Sequence, residues 1–239
     1  MEERMVSMPG EAPPVAHADA NVSTGSLTDP GVLQILSTEH WSLLAARSLV
    51  YNEAFSRAGM YLSFLSATVV ALGLIATATG FTDGFLMITT VLLAIDLFIG
   101  YASLGRIAST SSEDIKFLQG MNRIRNAYVQ IAPAVAPYFL HGHHDDPTTV
   151  LGVYGPVEAT TVSSMLHGFT TVPGMIGAIN SAVAGALVAV LTMLATHNPL
   201  LAGILGIVVF LTSFIGLTVV TMRMIRRFWA SFEVRFPKG

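Results

Sequence analysis

All twelve Lys and Arg residues of this 239-residue chain lie on one side of four apolar stretches. The stretches are Gly59–Thr79, Gly84–Leu104, Met175–Ala195 and Leu200–Val220. Each holds about 20 residues, the length at which an α-helix crosses ~30 Å of hydrocarbon. The connections that would face away from the basic side, Gly80–Asp83 and Thr196–Pro199, carry no Lys or Arg. Basic loops stay in the cytoplasm, so both termini and the middle segment are expected there. The expectation is an all-α membrane protein, with four transmembrane helices forming two parallel in–out–in hairpins and a cytoplasmic amphipathic helical layer.

Composition supports a membrane chain and excludes several chemistries. Only 11% of residues are charged and mean hydropathy is +0.63, whereas globular chains carry about 25% charge. Apart from Asp83 and Asp96, every charged residue belongs to the basic side. The absence of cysteine excludes disulfides, Cys-zinc sites, iron–sulfur clusters and thiol catalysis. Met1-Glu2-Glu3-Arg4 opens a stretch without a signal-peptide core, so insertion is expected to rely on the first span. No P-loop, dinucleotide Gly fingerprint, G-x-S-x-G elbow or HExxH helix is present. The basic residues are juxtamembrane rather than patterned for nucleic acid. The reading is a non-enzyme with no cofactor and no nucleic-acid partner.

Residues 1–36 read as a disordered tail, with Asp29-Pro30 or Ser37-Thr38 as the candidate helix caps. Residues 37–58 read as a juxtamembrane helix in which Trp41, Leu44, Ser48, Tyr51 and Phe55 recur at three- and four-residue steps. Residues 59–104 form the first hairpin and 105–173 a cytoplasmic helical linker. In that linker Ser111-Ser112-Glu113-Asp114 predicts a helix start, Pro133 predicts its end, 141–156 read as loop, and Val157–Phe169 as a further short helix. Residues 174–222 form the second hairpin. The tail, 223–239, mixes Arg223, Arg226 and Arg227 with Trp229 and phenylalanines, which suits lipid headgroups.

The hairpins align without gaps from Gly59–Thr77 to Gly174–Thr192 at Gly, Met, Ser, Ala, Ala, Leu and Thr. One extra turn residue sets Phe98-Ile99-Gly100 on Phe214-Ile215-Gly216, which leaves duplication and chance both open. Each first helix carries small residues every four positions: Gly59, Ser63, Ala67 and Ala71, then Gly177, Ser181, Gly185 and Ala189. Such faces let helix backbones approach. Packing within one bundle is favoured over a subunit interface.

Asp96 stands within the second span, and no Lys, Arg or His lies in any span. An ionised carboxylate there costs ~2.5–3.5 kcal/mol even on the lenient insertion scale, so a neutral carboxyl is expected unless it lines water. Ser66, Thr68, Thr212, Ser213 and Asn180 are its candidate partners. Asp96 reads either as part of an ion path, for instance a ring in an oligomer, as a proton-coupling site, or as a hydrogen-bonded helix clamp.

His141, His143, His144, Asp145 and Asp146 fall within six residues and offer imidazole and carboxylate ligands. Gly142 and Pro147 make the stretch loop-like, and a solvated polar loop is favoured over a metal site.

The runs Glu39–Leu44, Tyr51–Met60 and Gly120–Tyr128 resemble an uncharacterised bacterial family of four-span integral membrane proteins. The resemblance covers residues 37–222 and implies a multi-pass protein of the bacterial plasma membrane, with no activity to transfer. A cytoplasmic helix followed by a two-span hairpin is also similar, in layout only, to two-span membrane effector domains. The expected function is an oligomeric membrane scaffold or partner-binding protein, contacting lipid and further copies of itself. The alternative is a small oligomeric cation channel or membrane-permeabilising effector with Asp96 in the conduction path.

Overall fold

The computed structural model describes residues 26–154 and 171–238. Among them every regular element is helical. Helix α1 spans Pro30–Thr79 and α2 spans Asp83–Ile131. Single 3₁₀ stretches, Pro133–Tyr138 and Gly152–Tyr154, flank the short α3, Pro147–Leu151. Helices α4 (Val172–Thr196) and α5 (Pro199–Ala230) complete the chain. The four long helices are each long and apolar enough to cross a membrane, which makes this a multi-pass membrane protein. The expected helix over Val157–Phe169 lies outside the described residues, as do residues 1–25 of the expected tail; residues 30–36 of that tail are instead the first turns of α1, because Asp29 and Pro30 start the helix there.

Local chemistry sets the helix ends. Asp29 Oδ1 accepts the Gly31 N–H at 2.8 Å with Pro30 at the first helical position, so α1 starts at the earlier of the two expected caps. Gly80, at φ 66°, takes the left-handed turn that ends α1. Thr82 Oγ1 then accepts from Phe85 N–H at 3.3 Å. At the other short turn, Asn198 Oδ1 accepts from both Leu200 and Leu201 at 3.1 Å. The two turns sit at one end of the molecule, where His197 Nδ1 lies 3.9 Å from Asp83 Oδ1.

The helix start expected at Ser111–Asp114 is absent: α2 runs straight through it. Helix α1 likewise runs straight through Gly59 into the first span, the course the sequence left open beside a bend there. Ser111 and Ser112 do not cap a new helix; their hydroxyls donate to the carbonyls of Ile107 and Ala108 one turn back, at 3.0 and 3.3 Å. Extending an existing helix fixes one residue per hydrogen bond, whereas a new start pays for nucleation. A capping signal downstream of a formed span is therefore overridden. At about 1.5 Å per residue, α1 and α2 each continue roughly 40 Å beyond their apolar spans. Together they form a two-helix stalk.

The long helices pack in a row: α1 on α2, α2 on α4, α4 on α5, with a light touch between α1 and α4. Ala58, Tyr61, Ile107 and Ile176 form the buried apolar cluster where three of them meet. At the α4–α5 crossing, a Cβ on Gly185 would stand 2.6 Å from the Gly206 carbonyl, so glycine alone permits the approach. Large apolar side chains such as Phe64, Val69, Leu74 and Ile207 point outward, as expected where the solvent is lipid.

The stalk buries a different face of α1 from the one that carries the periodic stripe. Leu36, His40, Leu43, Val50 and Ala54 turn toward α2, half-buried, and Leu43 meets Gly120. Trp41 and Phe55 remain 67% and 61% exposed, with Leu44, Ser48 and Tyr51 also open. Charge complementarity selects this rotation. Glu53 and Arg47 must face Arg106 and Asp114 on α2, and that turns Trp41 and Phe55 away while the Tyr51 hydroxyl still reaches Asp114 at 3.2 Å.

Candidate functional site

Asp96 points into the row of helices and is 1% exposed. Its Oδ2 has no hydrogen-bond partner. One turn along α2, Gly100 leaves room for Asn180, whose Oδ1 would lie 2.0 Å from a Cβ at that glycine. Tyr61 closes the site from α1; its hydroxyl donates to Asn180 Oδ1 at 3.3 Å. Asn180 is fully buried and its Nδ2 is likewise unpartnered.

The expected partners of Asp96 are mostly engaged elsewhere. Ser66 donates to Leu62 O at 2.7 Å and Thr212 to Val208 O at 2.8 Å, each on its own exposed helix surface. Ser213 pairs with the Tyr101 hydroxyl at 3.4 Å. Thr68 is buried on α1 but does not bond the carboxylate. Only Asn180 belongs to the same buried knot. Tyr61 escaped the sequence reading because an aromatic at the head of a span looks like any apolar residue. Its signal is the inner-face spacing Ala54, Ala58, Tyr61.

The small-residue stripes part company. Gly177, Ser181 and Gly185 are buried inside the row and Ala189 is half-buried against Gly206. Gly59, Ser63 and Ala67 are exposed, with nothing within 4 Å of a Cβ placed at Gly59. Aligned positions of the two hairpins thus differ: Gly100 is tightly enclosed, while Gly216 meets nothing.

Ion pairs tie the stalk together. Arg106 grips Glu53 with two bonds of 2.8 and 2.9 Å, and Arg57 adds one of 3.2 Å. These guanidinium groups hold the Glu53 carboxyl down at about 2. Asp114 accepts from Arg47 Nε at 2.6 Å, from the Tyr51 hydroxyl at 3.2 Å, and from the Tyr154 hydroxyl.

The His/Asp loop does not converge on a metal. Among the described residues no three His, Asp or Glu side chains gather in a metal-holding group. Asp145, fully buried, accepts Arg123 Nε at 2.8 Å and the backbone N–H groups of Arg235 and Phe236 at 3.1 and 2.7 Å. Burial pushes the Asp145 carboxyl up, but the Arg123 and backbone donors outweigh it and leave it below the ordinary carboxylate value. Asp146 caps α3 through Thr149 N–H at 3.1 Å. Burial opposes ionisation there too, and the Thr148 and Thr149 donors prevail, holding it at about 2. The His143 and His144 rings lie 4.2 Å apart, and His141 stands beside them in sequence without a shared partner. Both carboxylates of the loop are thus committed to the backbone, one as a clamp on the C-terminal strand of chain and one as a helix cap. Arg223, Arg226 and Arg227 are exposed on the end of α5, beside the Trp229–Phe232 ring pair at 4.7 Å.

No family model matches the chain, and neither a curated protein nor a solved structure does.

Proposed function

We propose that this protein is a non-enzymatic, homo-oligomeric membrane scaffold that pairs through α1. The carrying observation is the uncovered aromatic stripe of the stalk, with Trp41 67% and Phe55 61% exposed where no lipid would shield them. Trp41, Leu44, Ser48, Tyr51 and Phe55 have the spacing of a helix–helix seam. Trp41 and Gly59 are five helical turns apart, hence on one line of the helix. The stripe therefore continues into Gly59, Ser63 and Ala67, small residues suited to close contact in lipid. A second copy of α1 offers the same two surfaces in the same order.

In this reading the two short turns face outward. Both termini and the stalk lie in the cytoplasm of a bacterial cell, and the hairpins run in–out–in. Arg223, Arg226, Arg227 and Trp229 meet the headgroups of the plasma membrane. The position of Asp96 weighs against a ring-shaped cation path, because it faces the neighbours of its own chain rather than an outer surface.

The natural chain lacks cysteine, so single cysteines report cleanly. Ser48→Cys and Gly59→Cys should each give a disulfide-linked dimer when membranes are oxidised, while Ile88→Cys on the outer face of α2 should not. Monomers at both α1 positions sink the proposal.

A further inference from the structure

We infer that Asp96, Asn180 and Tyr61 form a binding site for one small, partly hydrated monovalent cation of the sodium class. Tyr61 of α1 and Asn180 of α4 meet at 3.3 Å, both lie against Gly100 of α2, and the buried Asp96 carboxylate stands one helical turn from that glycine. Hard oxygen donors suit alkali cations and offer nothing to soft metals. The site also contains two buried polar atoms of opposite character, Asp96 Oδ2, which lacks a donor, and Asn180 Nδ2, which lacks an acceptor. Buried polar atoms are paired in native proteins, and an exception points to an absent water or ion. A hydrated cation answers both atoms at once. The ion takes the carboxylate oxygen, and a water of its shell accepts from the amide.

Charge argues the same way. No Lys, Arg or His lies in any apolar span, so an ionised Asp96 finds no counter-charge in the protein. A bound cation makes the buried unit neutral, which removes most of the cost of a charge in hydrocarbon.

Along the buried face of α2 the site is enclosed on both sides: Ser103 and then Ile107, part of the Ala58–Tyr61–Ile107–Ile176 cluster, lie toward the stalk, and Leu93, Thr89, Leu86 and Phe85 lie toward the short turns. The cation is therefore held as a bound ion, not as one in transit. The site is complete within one chain and does not depend on α1 pairing.

The test follows thermal unfolding of the full chain in lipid nanodiscs, with sodium chloride replacing choline chloride at constant ionic strength and pH. A ligand bound only by the folded state raises the midpoint with the logarithm of its concentration above Kd. The wild type should show that rise. Asp96→Asn, which keeps the shape and removes the charge, should show a flat midpoint. A wild type indifferent to sodium overturns the site, and so does an Asp96→Asn protein that keeps the full response, since only a general salt effect then remains. Should Asp96→Asn fail to fold, Tyr61→Phe removes one oxygen and leaves the charge. Its titration should move to higher sodium, and an unmoved titration overturns the assignment.

Discussion

Asp145 and Phe236 bond each other twice: the Phe236 N–H donates to Asp145 Oδ1 at 2.7 Å, and the Asp145 N–H donates to the Phe236 carbonyl at 3.2 Å. This pairing fastens the end of the chain to the stalk. Arg123 and Gln119 extend it, each donating to the Glu233 carbonyl at 2.7 Å. Asp145→Asn would set an amide N–H against backbone donors and leave Arg123 without its counter-charge. The expected loss is about 2–4 kcal/mol of stability. Limited proteolysis should show early cleavage after Phe232 in the variant, and an unchanged digestion pattern would contradict the clamp.

Acid should loosen the stalk and the clamp together. Glu53 and Asp146 sit at about 2, and Asp145 is also depressed. A carboxyl with a depressed folded value contributes stability that is complete above its unfolded value, near 4, and is lost as pH falls through the folded value. Stability should hold from neutral pH to about 4.5 and decline between about 4 and 2. Thermal unfolding across that range checks it. A decline beginning near neutral pH would point to other groups.

The α4–α5 crossing should tolerate no added methyl. Gly185→Ala places a Cβ 2.6 Å from the Gly206 carbonyl and 3.0 Å from Phe210 Cβ. Overpacking of this kind costs about 1–3 kcal/mol. Gly73→Ala on α1, where a Cβ meets nothing within 4 Å, should be neutral or slightly stabilising. Equal unfolding midpoints for the two variants would contradict the close crossing.

Topology can be read with a membrane-impermeant maleimide on intact cells. Asn198→Cys, in the turn between α4 and α5, should label from outside. Arg226→Cys, at the basic end of α5, should label only after lysis. The reverse pattern would invert the orientation.

Much of the fold was legible because hydropathy and charge act locally. Four stretches of span length, two short turns and the stop before Pro133 all follow from residue type and spacing. Stretches of 25 residues or fewer are easy to delimit. The fusion of span and stalk into the 49-residue α2 was not, because Ser111-Ser112-Glu113-Asp114 carries a true capping signature that propagation overrides. The packing of the stalk was not legible for a related reason. Periodicity identifies a face but not its partner, and the pairs Arg47–Asp114 and Glu53–Arg106 set which face of α1 meets α2.

What the residues determined alone is where the chain is apolar, how long each apolar stretch is, and on which side the positive charge collects. Those properties need no knowledge of neighbours, since each residue's transfer from water to lipid is its own. Only tertiary structure decided that Asn180 and Tyr61 meet against Gly100, one turn from the buried Asp96, that one small-residue stripe is buried and its counterpart bare, and that Asp145 holds a chain end 90 residues away. Each joins residues far apart in sequence, and short-range pattern carries no information about which distant surfaces will fit.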